Sequence, residues 1–196
     1  MILVIGPTGS GKTLLLKQLE ELSKNSHLSS AKKKDKSQSD LNDAKPSTSN
    51  DQDDARENVP ATIPTMGTNI CAIKFPRKKE INLKEVGGSM APIWKSSYED
   101  AEKVIYVIDF SNPFQVSSTT IRLLEMLSDE KLKDKNILLL LNKIDNFTTV
   151  YPAEMRYMLM LDSIISHAPQ TITTIESSAK YGSGLQDVVD WIYEGT

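Results

Sequence analysis

The chain has 196 residues, 39% hydrophobic and 25% charged, enough for one compact domain with a sizeable core. Its formal net charge of −3 gives no general basic surface for nucleic acid, and the lone cysteine, Cys71, excludes an internal disulfide or a cysteine-based metal cluster. Apolar runs are too short to span a membrane, residue 2 is Ile2 rather than a myristoylatable glycine, and the ending Glu194, Gly195, Thr196 carries no prenylation signal, so a cytoplasmic protein without a stable membrane anchor is expected, with transient membrane contact at most.

In chain order, residues 1–5 form a short apolar run, rich in β-branched residues, that reads as a strand. The next eight, Gly6 to Thr13 (GPTGSGKT), fit the phosphate-binding pattern G-x-x-x-x-G-K-[ST], and Leu14, Leu15, Leu16, Leu19 and Leu22 follow at helical spacing. Strand, glycine loop and helix therefore succeed one another in the order that phosphate binding needs. Gly9 and Gly11 let the loop curl so that backbone N–H groups around Ser10 face a polyphosphate, and the helix start adds its positive end. Lys12 is expected to reach the β and γ phosphates, and Thr13 to offer its hydroxyl to Mg²⁺.

The first helix is expected to end near Ser23, where composition changes. Residues 24–58 contain only Leu28, Ala31, Leu41, Ala44 and Ala55 as apolar residues, too little burial to offset the entropy of ordering. They read as a disordered insertion in a single domain covering 1–196. A basic cluster from Lys32 to Lys36 and an acidic one at Asp51, Asp53, Asp54 and Glu57 read first as a solvated tether, and otherwise as a switchable contact or a nuclear address.

Order returns at Pro60. Two extended runs, 69–75 and 80–86, flank a turn at 76–79; Gly87 and Gly88 break the second, and a short helical segment passes through Ile93, Trp94 and Tyr98. Strands follow at 104–108 and 137–141, separated by a helix with Ile121, Leu123, Leu124 and Leu127 on its apolar face. A helix over 153–167, a strand over 171–176 and a helix over 185–193 close the chain. This alternation predicts a three-layer α/β sheet with right-handed crossovers and ligands at the carboxyl ends of the strands. Met155, Met158 and Met160 read as core-facing, His27 and His167 as surface residues, and Cys71 as a small buried strand residue. Trp94 and Tyr98 fit either an exposed patch beside Gly88 or packing beneath it.

Two further motifs fall at strand ends. Asn142, Lys143, Ile144 and Asp145 form an N-K-x-D sequence, in which one carboxylate can accept both adjacent donors of guanine, a pair that adenine lacks. Lys143 would lay its stem over the base and Asn142 would tie the segment back to the phosphate loop. Ser178, Ala179 and Lys180 follow the next strand, with the Ala179 N–H facing the guanine O6.

Together with Pro64, Thr65, Met66, Gly67, Thr68, Asn69 and with Val86, Gly87, Gly88 before Trp94 and Tyr98, these motifs resemble the Arf-like branch of the Ras superfamily of small GTPases. The stretch 85–94 is most similar to a divergent member of that branch. The resemblance implies a Ras-like P-loop fold, a mostly parallel six-stranded sheet with one antiparallel edge strand and about five helices. It implies GTP or GDP with Mg²⁺ as ligands, Thr65 as metal ligand and γ-phosphate sensor, the Gly88 N–H on the γ phosphate, and Glu85 supporting the metal through water. An effector, an exchange factor and an activating protein are the implied partners of a monomer. Ser89 stands where most relatives carry the glutamine that orients the attacking water, so slow or partner-dependent hydrolysis is expected and no catalytic side chain is assigned. Glu85 replaces an aspartate and is one methylene longer, and the amphipathic helix usual at the start of Arf proteins has no counterpart before Met1. The alternatives are a nucleotide-locked module without turnover and a small P-loop nucleotide kinase, the latter disfavoured by the lack of an arginine-rich lid.

Overall fold

Ile2–Ile5, four consecutive buried residues, form β1 at the centre of a six-stranded sheet. The structure is a computed structural model that describes residues 1–32, 63–146 and 150–195. Its strands are β1, β2 (Thr68–Ile73), β3 (Ile81–Val86), β4 (Lys103–Asp109), β5 (Asn136–Asn142) and β6 (Thr171–Ser177). They lie in the order β2-β3-β1-β4-β5-β6, with every pair parallel except β2 against β3. The helices are α1 (Lys12–Lys32), α2 (Val116–Leu127), α3 (Pro152–Met158), α4 (Leu161–His167) and α5 (Leu185–Tyr193). A six-stranded, mostly parallel sheet with one antiparallel edge and five α-helices among the described residues is the arrangement expected.

Strand periodicity divides the core into two layers. Val104, Tyr106 and Ile108 of β4 and Ile137, Leu139 and Leu141 of β5 face α2, α3 and α4, where Leu123, Met126, Met155, Leu161 and Ile164 are buried. Ile105, Val107, Leu138 and Leu140 face α1 and α5, against Leu15, Leu16, Leu19, Val188 and Ile192. Each such side chain contributes roughly 1.5–3 kcal/mol on leaving water, so both layers stabilise the sheet between them. Tyr106 keeps its buried hydroxyl paired by donating to the Thr119 carbonyl at 3.0 Å.

Several expectations are corrected. Helix α1 does not stop near Ser23 but continues to Lys32, held by tertiary bonds: the Lys74 N–H donates to Ser23 Oγ at 3.0 Å, Ser23 Oγ in turn bonds the Lys74 carbonyl, and His27 Nε2 lies 2.7 Å from that carbonyl. His27 is therefore an exposed helix residue with a partner, not part of a structureless stretch; the insertion and its charge clusters beyond residue 32 lie outside the described residues. The expected single helix over 153–167 is two, because Met160 adopts a left-handed conformation at φ +54° between α3 and α4. Met158 and Met160 are consequently exposed while Met155 is buried, and on α2 Ile121 and Leu124 point outward where Leu123, Met126 and Leu127 point in. Trp94 and Tyr98 are packed beneath the 3-10 segment Gly88–Ser97, each only 2% exposed, which decides between the two readings. Cys71 is half-buried on edge strand β2, and burial pushes its thiol pKa up. Among the described residues no helix is long and apolar enough to cross a membrane.

Candidate nucleotide site

The parallel strands end on one side of the sheet, and the expected site residues lie there: the glycine loop after β1, Glu85 to Gly88 at the end of β3, Asp109 at the end of β4, Asn142 to Asp145 at the end of β5 and Ser177 to Lys180 at the end of β6. Two adjoining cavities open between them. One of about 240 Å³ is lined by Gly9, Gly11, Lys12, Thr13, Thr65, Glu85 and Gly88; the other, of about 370 Å³, by Asn142, Lys143, Asp145, Ala179 and Lys180. Gly11, Leu14 and Lys143 line both, so the two form one cleft.

Asn142 joins its halves. Its side-chain amide donates to the Ser10 carbonyl at 2.8 Å, and its carbonyl oxygen accepts from the Ala179 N–H at 3.0 Å and the Ser177 hydroxyl at 3.3 Å. The approach requires glycine at position 11, where a Cβ would fall 2.3 Å from Asn142 Nδ2. Asp145 is exposed and accepts from Ser178 Oγ at 2.5 Å. The Lys143 ammonium is held 2.7 Å from the buried Asp109 carboxylate, which pins its stem along the cleft. The Ala179 N–H, expected to face a guanine O6, donates to Asn142 instead. Lys180 is exposed, its ammonium 4.9 Å from the Tyr181 ring centre.

In the phosphate half, Lys12 turns back on its own loop and donates to the carbonyls of Gly6 and Pro7 at 2.9 and 2.8 Å. Burial lowers its pKa to about 8, with Glu85 pulling it up and Arg122 pushing it down. Gly88 lies flat on the loop: a Cβ there would meet Thr8 N at 2.2 Å, so no other residue fits this approach. Trp94 fixes the turn before it by donating its indole N–H to the Gly87 carbonyl at 3.1 Å. Ser89 is exposed and does not line the cleft.

Thr13 Oγ1 lies 2.9 Å from Thr65 Oγ1 and donates to Glu85 Oε1 at 2.6 Å. Glu85 is 1% exposed, and its second oxygen is buried with no hydrogen-bond partner among the described residues. A desolvated carboxylate beside two hydroxyls is an all-oxygen donor set whose neighbouring cation, the Lys12 ammonium, is hydrogen-bonded to the Gly6 and Pro7 carbonyls rather than to it, and it fits a hard divalent cation such as Mg²⁺.

Three side chains at this site escaped the sequence reading. Asp109 anchors Lys143, Arg122 of α2 approaches the Gly88 carbonyl at 3.5 Å, and Gln115 donates to the Thr8 carbonyl at 3.4 Å. Asp109 carried a weak signal in its place at the end of an apolar strand; nothing local marked the other two.

The sequence profile of the ADP-ribosylation factor family matches residues 52–196. ADP-ribosylation factor-like protein 16 of Homo sapiens is 38% identical over 192 residues, covering 98% of this chain and 84% of that protein. ADP-ribosylation factor-like protein 1 of Drosophila melanogaster is 29% identical over 136 residues, covering 68% and 73% respectively. Among solved structures, the Arl6 BBS3 small GTPase of Trypanosoma brucei with a bound nucleotide analogue, GppNp, is similar in fold, with a TM-score of 0.69 at 18% identity over 98% of this chain and 94% of that one.

Proposed function

The chain belongs to the ADP-ribosylation factor family, and on that premise we propose that it is an Mg²⁺-dependent guanine nucleotide switch whose hydrolysis of GTP is slow or depends on a partner. The observation that carries the reading is the Asn142 clamp, which fastens the guanine-reading segment to the phosphate loop in one cleft. In that cleft the Asp145 carboxylate would accept the two donors of guanine, exchanging its bond to Ser178 for them, and Lys143 would cover the base. Backbone N–H groups of the glycine loop and the Lys12 ammonium, released from Gly6 and Pro7, would hold the polyphosphate.

Thr13, Thr65 and Glu85 would hold the metal, whose charge would offset that building up on the phosphate oxygens. Thr65 and the Gly88 N–H would report the γ phosphate, so that its loss frees both segments. Exposed Ile63, Met66, Ile70 and Ile93 lie on or beside those segments and would offer an effector apolar contacts that change with the nucleotide. Ser89 is exposed and does not line the phosphate half, and this supports slow intrinsic turnover.

Identifying the nucleotide that co-purifies with the protein tests the reading most directly. GDP indicates cycling, GTP a slow or locked switch, and an adenine nucleotide or none at all sinks the proposal. Asp145→Asn presents an amide donor where guanine needs an acceptor; GDP affinity is expected to fall about a hundredfold while xanthosine diphosphate binding improves.

A further inference from the structure

Three oxygens from three separate elements meet at the foot of the phosphate loop. Thr13 Oγ1, at the start of α1, and Thr65 Oγ1, ahead of β2, are 2.9 Å apart; Glu85 Oε1, near the end of β3, lies 2.6 Å from the first and 3.2 Å from the second. Mg²⁺ holds oxygen at about 2.0–2.1 Å in near-octahedral geometry, which sets adjacent ligands about 2.9 Å apart. The edges of this triangle, 2.6, 2.9 and 3.2 Å, scatter about that spacing, as the edges of a distorted octahedral face would.

A carboxylate acting through a bridging water leaves that water on the corner of the face. Here the extra methylene of a glutamate carries the carboxylate oxygen itself to the corner. The charge balance points the same way. Glu85 is almost wholly withdrawn from solvent, its Oε2 has no hydrogen-bond partner among the described residues, and the neighbouring Lys12 ammonium is bonded to the Gly6 and Pro7 carbonyls instead. Two hydroxyl donors and an ammonium whose hydrogen bonds go elsewhere leave a buried carboxylate short of positive charge, which a directly bound divalent cation supplies.

We propose that Glu85 is a direct ligand of the divalent cation, completing a facial set with Thr13 and Thr65, where the family resemblance implies contact through water. The inference rests on the reading of the cleft as a metal and guanine nucleotide site. With two phosphate oxygens of a GTP analogue added to the three protein oxygens, one coordination position is left for water instead of two.

The test counts that water. The full chain is loaded with Mn²⁺ and GppNp, and the broadening of the Mn²⁺ electron paramagnetic resonance line in ¹⁷O-enriched water gives the number of bound waters. One water is expected for the unaltered protein and two for Glu85→Asp, whose shorter side chain readmits the bridging molecule. Two waters in the unaltered protein overturn direct ligation while leaving the nucleotide site intact. A GppNp complex that takes up no Mn²⁺ overturns it as well. Failure to bind GppNp at all, followed independently by fluorescence of a labelled guanine nucleotide, overturns the reading beneath it too. Because the count in the unaltered protein is decisive alone, the test does not depend on the variant folding.

Discussion

The two halves of the cleft differ in what their polar groups do before any ligand arrives. In the base half they are paired with one another: Asn142 makes three bonds, Lys143 is held by Asp109, and Asp145 accepts from Ser178. In the phosphate half capacity is left over. Lys12 bonds carbonyls of its own loop, and the buried Ser10 Oγ and Glu85 Oε2 have no hydrogen-bond partner among the described residues. The base half is thus preorganised for discrimination, because guanine must exchange good bonds for better ones. On the proposed reading the phosphate half is organised for affinity, because a polyphosphate and its cation would meet groups that are poorly balanced without them.

Removing the cation of the phosphate half puts the strongest strain on this contrast. Lys12→Ala is expected to lower nucleotide affinity about 10²–10⁴-fold, as two charge-assisted hydrogen bonds of roughly 1.5–3 kcal/mol each are lost. A tenfold loss or less, measured by fluorescence titration, would show that affinity resides elsewhere. Asn142→Ala attacks the preorganised half. It leaves the Ser10 carbonyl and the Ala179 N–H without their partner and should destabilise the free protein by about 2–4 kcal/mol, a fall in melting temperature of about 2–4 °C per kcal/mol in a thermal scan.

A third prediction follows from the Lys12 pKa of about 8 in the free protein, set mainly by burial. Bound polyphosphate raises that pKa, so binding takes up a proton wherever free Lys12 has lost one. GDP affinity should be level below about pH 8 and then fall as pH rises, approaching tenfold per pH unit. A flat profile from pH 7 to 9.5 would mean that the ammonium does not meet the phosphates. The smallest change is expected from Ser89→Gln, which restores a side chain long enough to orient water; single-turnover GTP cleavage should quicken by about three- to tenfold without altering GDP affinity. Equal rates would show that another group does that work in the unaltered protein.

The strands were legible to within a residue or two because buried parallel strands announce themselves as apolar runs bounded by turn residues, as 104–108 and 137–141 do. The candidate cleft was legible where its lining is local in sequence: Gly6 to Thr13 and Asn142 to Asp145 each contribute to it from within a few residues. What was hidden depends on partners distant in the chain. Nothing in the polar sequence after Ser23 signals that Ser23 and His27 will both bind Lys74 and carry α1 onward. The break at Met160 is a left-handed residue with no glycine or proline to mark it, and Arg122 joins the site only because α2 packs beside Gly88.

The Trp94 contact with the Gly87 carbonyl also makes the molecule its own optical gauge. The sequence contains two tryptophans. Trp94 is buried with its indole tied to the peptide that precedes Gly88, while Trp191 lies on α5 with its carbonyl held by Lys103, at the strand ends remote from the cleft. Any displacement of Gly87 breaks the first indole's hydrogen bond and lets water near it, shifting its emission to the red. The second provides a fixed background, so opening of the segment at Gly88 can be followed in real time without attaching a dye.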